Sequence, residues 1–132
     1  MSTANLVVLR GRVSSTPRSV ELPSGTSLCQ LEVTTRVGSD ALCVPVAWLA
    51  PTETISAGDE IVVVGHVRRR WFRAGGATSS RTEVVATEVV PAARRRSVAR
   101  VLERAAASIL APTDVAISRR GGARRARSGA SA

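Results

Sequence analysis

DEIVVVGHVRRRWFR, residues 59–73, is an apolar segment that runs directly into arginines and aromatic side chains. The part from Ile61 to Phe72 predicts a β-strand, because apolar residues dominate its first half. Gly65 in its middle marks a bend of the kind found where a curved sheet kinks. This stretch therefore predicts a long, bent strand whose second half is strongly basic.

The basic half of this strand contains the leading binding candidates of the chain. A guanidinium pairs with phosphate in bidentate geometry, and a flat ring stacks on a base. Two of the chain's three aromatic residues stand side by side in this basic run. The candidates for nucleic-acid binding are Arg68, Arg69, Arg70, Trp71, Phe72 and Arg73.

Four further segments predict strands on either side of this one. Residues 27–37 alternate cleanly between apolar and polar side chains, which is the period of a half-buried strand. Pro45 lies within another segment and indicates an edge strand or a bulge. A flexible loop tip is expected at residues 73–80, and a short linker at 51–58. The other predicted strands cover residues 5–14, 41–50 and 81–90.

Five short strands with little helix predict a small closed or nearly closed barrel. After Pro91 the pattern changes, and residues 94–110 carry apolar side chains at helical spacing. From Arg119 the chain has no apolar periodicity, so a disordered tail is expected. We therefore expect an all-β domain over residues 1–93, followed over 94–132 by a helix and a basic tail.

The positive charge is concentrated in the C-terminal third. Residues 1–93 contain nine arginines and eight acidic residues, a net charge of +1. Residues 94–132 contain ten arginines against Glu103 and Asp114, a net charge of +8. Arginine-rich arms attract polyanions through counterion release, whatever the sequence of the polyanion. The arm therefore predicts a nonspecific contribution to nucleic-acid binding.

Several classes of function are disfavoured by the composition. The chain has one histidine, two cysteines and no lysine, so a phosphate-binding loop is excluded and no catalytic set is visible. We expect neither an enzyme nor a protein that needs a metal, a cofactor or a small-molecule substrate. Cys29 and Cys43 are interpreted as small hydrophobic residues. With no membrane span and no secretory signal visible, we expect a cytoplasmic protein associated with the nucleoid.

Residues 5–90 resemble the bacterial single-stranded DNA-binding proteins, whose fold is an OB barrel. The matching landmarks occur in the family's order over about 85 residues, roughly two thirds of the chain. They are NLVVLRGRV (5–13), Pro17-Arg18, PSG (23–25), Thr34-Thr35-Arg36, VPVAW (44–48), AGDEIVVVGHV (57–67) and TEVV (82–85).

This resemblance implies a role for individual residues. Phe72 falls where the family has a base-stacking aromatic, and Trp48 falls on a strand position that is also commonly aromatic. A core position is the alternative for Trp48. Trp71 lies on the opposite face from Phe72, where it either binds or packs under the hairpin. The remaining expected contacts to the nucleic-acid backbone are Arg10, Arg12 and Arg36.

The chain also departs from the family in three respects. Leu42 stands where many relatives have a bulky aromatic, and the connection at residues 37–40 is very short. The family's tail is acidic with an apolar tip that recruits partners, whereas this chain ends in a basic arm. Recruitment of repair and replication partners by that route is therefore not expected.

The resemblance implies single-stranded DNA binding without strong sequence preference, in DNA replication, repair or recombination. It also implies a homo-oligomer, either dimer or tetramer, and allows replication or repair proteins as further partners. An alternative comes from primosomal replication protein N, which shares the barrel and is similar to this chain at SGTSLCQ (24–30). In that case the barrel mainly contacts replication proteins, and the basic arm binds nucleic acid nonspecifically.

Overall fold

The computed structural model describes residues 3–111, which form a mainly β structure with one C-terminal helix. The expected disordered tail from Arg119 lies outside these residues. The elements, in chain order, are β1 (Val7–Val13), β2 (Arg18–Glu21), β3 (Ser27–Val37), β4 (Asp40–Leu49), β5 (Glu60–Ala74), β6 (Ala77–Pro91) and α1 (Arg95–Leu110).

The six strands form a mixed sheet in the order β1-β5-β6-β4-β3-β2. Strand β1 also pairs with β3, through Arg12 with Thr34 and Val13 with Val33. This second pairing joins β1, β5, β6, β4 and β3 into a nearly closed ring, and β2 lies outside the ring on β3. Strands β4 and β6 run parallel, while the other pairs are antiparallel. The predicted barrel is thus present as a nearly closed ring of five strands.

The core fills the inside of this ring with alternate residues from each strand. On β3 the buried side chains are Cys29, Leu31 and Val33, as the alternation predicts. Burying a Val or Leu side chain completely contributes about 1.5–3 kcal/mol each. The other buried members of this core are Val13, Val46, Trp48, Ile55, Ile61, Val63, Val84, Ala86 and Val89.

Gly65 allows the ring to close where β5 bends over β6. A Cβ atom at this position would lie 2.0 Å from the carbonyl oxygen of Val85, so no other residue fits without separating the strands. The pairing register shifts between Val64 and Gly65, because Thr87 on β6 is an extra residue without a partner on β5. This bulge confirms the bend that the sequence predicts at Gly65.

Helix α1 packs on the outer face of the sheet. Val101 and Ala105 are buried against Val64 of β5, and Leu6 and Val90 contribute partly buried side chains. Arg104 forms two hydrogen bonds to Glu88 of β6, at 2.7 and 2.9 Å. This pairing raises the pKa of the Arg104 guanidinium. The helix predicted for residues 94–110 is therefore present, and it is docked on the barrel.

Three details differ from, or refine, the sequence-based expectations. Strand β2 has no predicted counterpart. The loop expected at residues 73–80 is instead the end of a hairpin, in which the strands continue to Ala74 and from Ala77 around a two-residue turn. Up to Pro45, β4 pairs with β3 alone among the described strands, and β6 joins it from Val46 onward. The edge position expected for Pro45 is thereby confirmed.

Candidate nucleic-acid interface

The ends of β5 and β6 form a two-stranded ribbon that extends beyond the ring; residues 68–83 are called the ribbon here. The pairing of β1 with β5 ends at Gly65, and within residues 3–111 the ribbon's part of β5 pairs with β6 alone. The side chain of Asn5 makes two hydrogen bonds to the backbone of Val67, at 2.8 and 2.9 Å. These bonds hold the ribbon at the point where it leaves the ring.

The ribbon has two faces, because successive side chains of a strand point to opposite sides. Residues directly opposite each other on paired strands share a face. Together with the observed register, this rule assigns each side chain of the ribbon to one of its two faces. The Phe72 face contains Arg68, Arg70, Phe72, Ser79, Arg81 and Glu83. The Trp71 face contains Arg69, Trp71, Arg73, Thr78, Ser80 and Thr82.

On the Phe72 face, three arginines surround one buried carboxylate. Glu83 is 5 % exposed, and its oxygens lie 2.6 Å from Arg68, 3.5 Å from Arg70 and 4.0 Å from Arg81. A buried carboxylate needs such partners, since a desolvated charge without them is costly. The three arginine side chains remain 47 % exposed, so they keep donors that face solvent.

Arg81 is a binding candidate that the sequence pattern does not single out, because it stands at the start of a predicted strand. The observed register places Arg81 directly opposite Arg70, and its guanidinium also lies 3.5 Å from Glu32 on β3. The pair thus links the ribbon to the neighbouring β3–β4 hairpin. A hairpin register counted outward from the Gly75-Gly76 turn would have found Arg81, because a two-residue turn determines every pair above it.

Each face of the ribbon carries an aromatic ring beside a guanidinium. Arg70 lies over Phe72 at 6.0 Å from the ring centroid, and Arg69 lies over Trp71 at 5.6 Å. Both distances are within the range of cation–π contacts. Phe72 is 42 % exposed and Trp71 is 63 % exposed, so both rings retain surface for a ligand. The alternative that Trp71 packs under the hairpin is therefore wrong.

Trp48 takes the core position that the sequence left open as an alternative. It is 3 % exposed and belongs to the core cluster inside the ring. Its neighbours across the sheet are Cys29 on β3 and Ala86 on β6. The expectation that Trp48 stacks on a base is not supported, because its ring has almost no surface in contact with solvent.

The remaining predicted arginines lie at different distances from the ribbon. Arg36 is exposed near the end of the β3–β4 hairpin, and alternation along β3 places it on the same side as Glu32. Arg10 and Arg12 lie on β1 at the other end of β5. Arg10 is paired with Val62, six strand positions or about 20 Å from Arg68.

Both of these β1 arginines already have partners within the chain. Arg10 donates to Glu60 at 2.7 Å, and this hydrogen bond lowers the pKa of the Glu60 carboxyl. Arg12 donates to the carbonyl oxygen of Gly58 at 3.1 Å. The structure therefore brings Arg68, Arg69, Arg70 and Arg73 together on the ribbon, and it does not bring Arg10 or Arg12 to them.

The cysteines and acidic residues of the described part form no metal site. Within residues 3–111, no group of three or more His, Cys, Asp or Glu side chains could hold a metal ion. Both cysteines are free, and the exposed Cys43 thiol donates to Glu32 at 2.9 Å. The one described helix, α1, is not long and apolar enough to cross a membrane.

The chain matches no protein-family model, and no curated protein is significantly similar to it. The features of the described chain that bear on function are the geometry of the ribbon and the residues that it exposes.

Proposed function

We propose that this protein binds single-stranded DNA without strong sequence preference, and that the ribbon is its principal contact. The observation that carries the proposal is the presence of exposed guanidinium–aromatic pairs on a ribbon that extends beyond the ring. The nearly closed, five-stranded ring supports assignment to the OB fold, which is a partly open five-stranded barrel that often binds oligonucleotides.

Base stacking would supply the preference for single strands. Phe72 presents its ring at a solvent-exposed position, and a stacked base contributes roughly 1–3 kcal/mol. A base can reach this ring only when it is released from its own helical stack. Since every base has a flat face, stacking on Phe72 discriminates little between sequences.

Phosphate neutralisation would supply the remaining affinity and make it sensitive to salt. Arg68, Arg70 and Arg81 lie on the same face as Phe72, between it and the ring, and each side chain is 47 % exposed. Contacts from arginine to phosphate release counterions, so affinity falls as the salt concentration rises. The basic arm would hold a further stretch of the same strand at high effective concentration.

The biological setting of this binding is proposed from the resemblance. A protein of this kind serves DNA replication, repair or recombination and associates with the nucleoid. Assembly into a homo-oligomer would place several ribbons on one DNA strand. Each of these statements is an expectation of the single-stranded DNA-binding family applied to this chain.

The test compares the full-length protein with Phe72→Ala on a labelled oligothymidine and on a duplex of equal length, across a range of salt. We expect preference for the single strand and a loss of about 1–3 kcal/mol for Phe72→Ala. Leu49→Ala is the matched control, because Leu49 is 44 % exposed and lies outside the ribbon. Equal binding of duplex, or unchanged affinity of Phe72→Ala, would refute the proposal.

A chain that ends at residue 111 lacks the last five of the ten arginines of the basic arm. This truncation keeps every described element, including α1. We expect it to retain its preference for the single strand, with lower affinity overall. If it binds no nucleic acid and the arm accounts for all affinity, the adaptor function of the primosomal replication protein N type becomes the better account.

A further inference from the structure

We propose that the two faces of the ribbon are separate binding surfaces, so that one ribbon holds two segments of single-stranded DNA at the same time. This inference rests on the proposed function and deepens it. It assigns Trp71, which has the most exposed ring of the chain's aromatics, to a second segment distinct from the one on Phe72.

Side chains alternate between the two faces of the ribbon along β5. Neighbouring residues point to opposite sides of a strand, so Trp71 and Phe72 are separated by the backbone of the ribbon itself. A base stacked on Phe72 therefore cannot touch Trp71. Each ring has its own guanidinium on the same face, Arg69 for Trp71 and Arg70 for Phe72.

The Trp71 face carries positive charge that nothing in the described structure neutralises. Within residues 3–111, no carboxylate lies within 4.0 Å of Arg69 or Arg73. The positions opposite on β6 are Thr78, Ser80 and Thr82. Hydroxyl groups donate hydrogen bonds and carry no charge that would repel phosphate. The occupant that fits is therefore an anion with a flat apolar part, as in a nucleotide strand.

The two faces also differ in a way that makes them distinguishable. On the Phe72 face, the buried Glu83 offsets one of three guanidinium groups. On the Trp71 face, the guanidinium groups of Arg69 and Arg73 have no acidic partner in the described part of the chain. Tryptophan is enriched at interfaces, and the exposed Trp71 ring lies beside the Arg69 guanidinium.

The two tryptophans give the test a specific optical signal. Trp48 is 3 % exposed in the core, whereas Trp71 is 63 % exposed on the ribbon. Quenching of tryptophan fluorescence by a bound oligonucleotide therefore reports chiefly on Trp71. We expect Phe72→Ala to keep this quenching and Trp71→Phe to lose it while it retains binding.

Stoichiometry and bridging provide the decisive measurement. The full-length protein is titrated with oligothymidines of about six nucleotides, within the ~4–16 nucleotides typical of one barrel. We expect Trp71→Ala and Phe72→Ala each to remove one bound oligonucleotide per chain, and the double variant to remove both. Any binding by the basic arm is the same in all variants, because none of them changes the arm. Leu49→Ala should leave the stoichiometry unchanged.

Bridging is measured as energy transfer between two differently labelled oligonucleotides on the protein. We expect Trp71→Ala to lower the transfer, and the number of oligonucleotides bound per chain to fall by one, while the affinity of the Phe72 face is retained. The inference is overturned if both variants weaken one shared site, if the transfer is unchanged in Trp71→Ala, or if Trp71→Ala alters the oligomeric state instead. Those results leave the proposed function standing, whereas absence of single-strand binding in the unaltered protein would remove both.

Discussion

Glu83 has an unusual position for an acidic residue, since it lies buried among three arginines of the ribbon. It forms ion pairs with Arg68, Arg70 and Arg81, and this arrangement has two opposite effects. The carboxylate reduces repulsion between the guanidinium groups, which stabilises the ribbon. It also competes with phosphate for the same donors, which weakens binding.

Replacing Glu83 with glutamine should therefore change stability and affinity in opposite directions. We expect Glu83→Gln to lower the free energy of unfolding, because three positive groups lose their shared partner. Affinity for oligothymidine should rise at low salt, and the gain should disappear at high salt as charges are screened. Denaturant unfolding and salt titrations measure the two effects. A loss of affinity at low salt would mean that Glu83 chiefly holds the arginines in position.

Cys43 combines an accessible thiol with a hydrogen bond that suppresses its reactivity. The Glu32 carboxylate accepts from the thiol and raises the pKa of Cys43, and burial raises that of Cys29. Because the thiolate is the reactive form, Cys43 should react slowly with a disulfide reagent at neutral pH and faster as the pH rises. Glu32→Gln should accelerate the reaction several-fold at neutral pH. Equal rates in the two proteins would contradict this role for Glu32.

At the scale of elements, the ribbon shows what a sequence pattern can and cannot reveal. The apolar halves of β5 and β6 were predictable, because their buried residues alternate or cluster. The sequence predicts a loop at residues 73–80, because no apolar alternation marks a strand there. The alternation is absent because both faces of the ribbon are exposed at its tip. The ladder of backbone hydrogen bonds and the glycine turn maintain the strands instead.

The Gly75-Gly76 turn supplies a prediction about the ribbon. Both residues have positive φ, +58° and +81°, as a type I′ turn requires. Asparagine tolerates this conformation and glycine favours it at the second position. Gly75→Asn should therefore leave the free energy of unfolding unchanged or slightly higher, whereas Gly75→Val should lower it by about 1–2 kcal/mol and lower the melting temperature accordingly. Equal melting temperatures for both variants would mean that the turn does not have this conformation.

For Gly65 we expect that no substitution is tolerated, because the backbone of the neighbouring strand lies where a side chain would begin. Any Cβ at Gly65 meets the backbone of Val85 at 2.0 Å, in contrast with the open space around Gly75. Gly65→Ala should destabilise the protein by at least the ~1–3 kcal/mol typical of overpacking. Denaturant unfolding measures this cost, and near-wild-type stability would show that the bulge can widen.

At the scale of the whole molecule, strand order and composition predicted a small barrel and a C-terminal helix, and both are present. The sequence could not identify which strands close the ring, since closure depends on two residue pairs between β1 and β3. It also left Trp48 ambiguous, since its own strand pattern fits a core residue and a binding residue equally well. The location of Arg10 and Arg12 away from the ribbon likewise depends on strand pairing, which short patterns do not specify.

The docking of α1 supplies the prediction at this scale. Val101 of α1 packs against Val64 of β5 and is 2 % exposed, whereas the next residue of the helix, Leu102, is 40 % exposed. Val101→Ala should lower the free energy of unfolding by about 2 kcal/mol. Leu102→Ala should change it by less than about 0.5 kcal/mol. Equal effects of the two variants would indicate that α1 does not dock through this face.

The length of β5 has a mechanical consequence. This strand continues for 15 residues, so a single strand connects the site where α1 docks with the tip of the ribbon. The ribbon is held where it leaves the ring, so a force that bound DNA exerts on its tip is transmitted along β5 to Val64. The bulge at Gly65 interrupts the ladder between these two points. We expect bending of the ribbon relative to the ring to concentrate at this bulge.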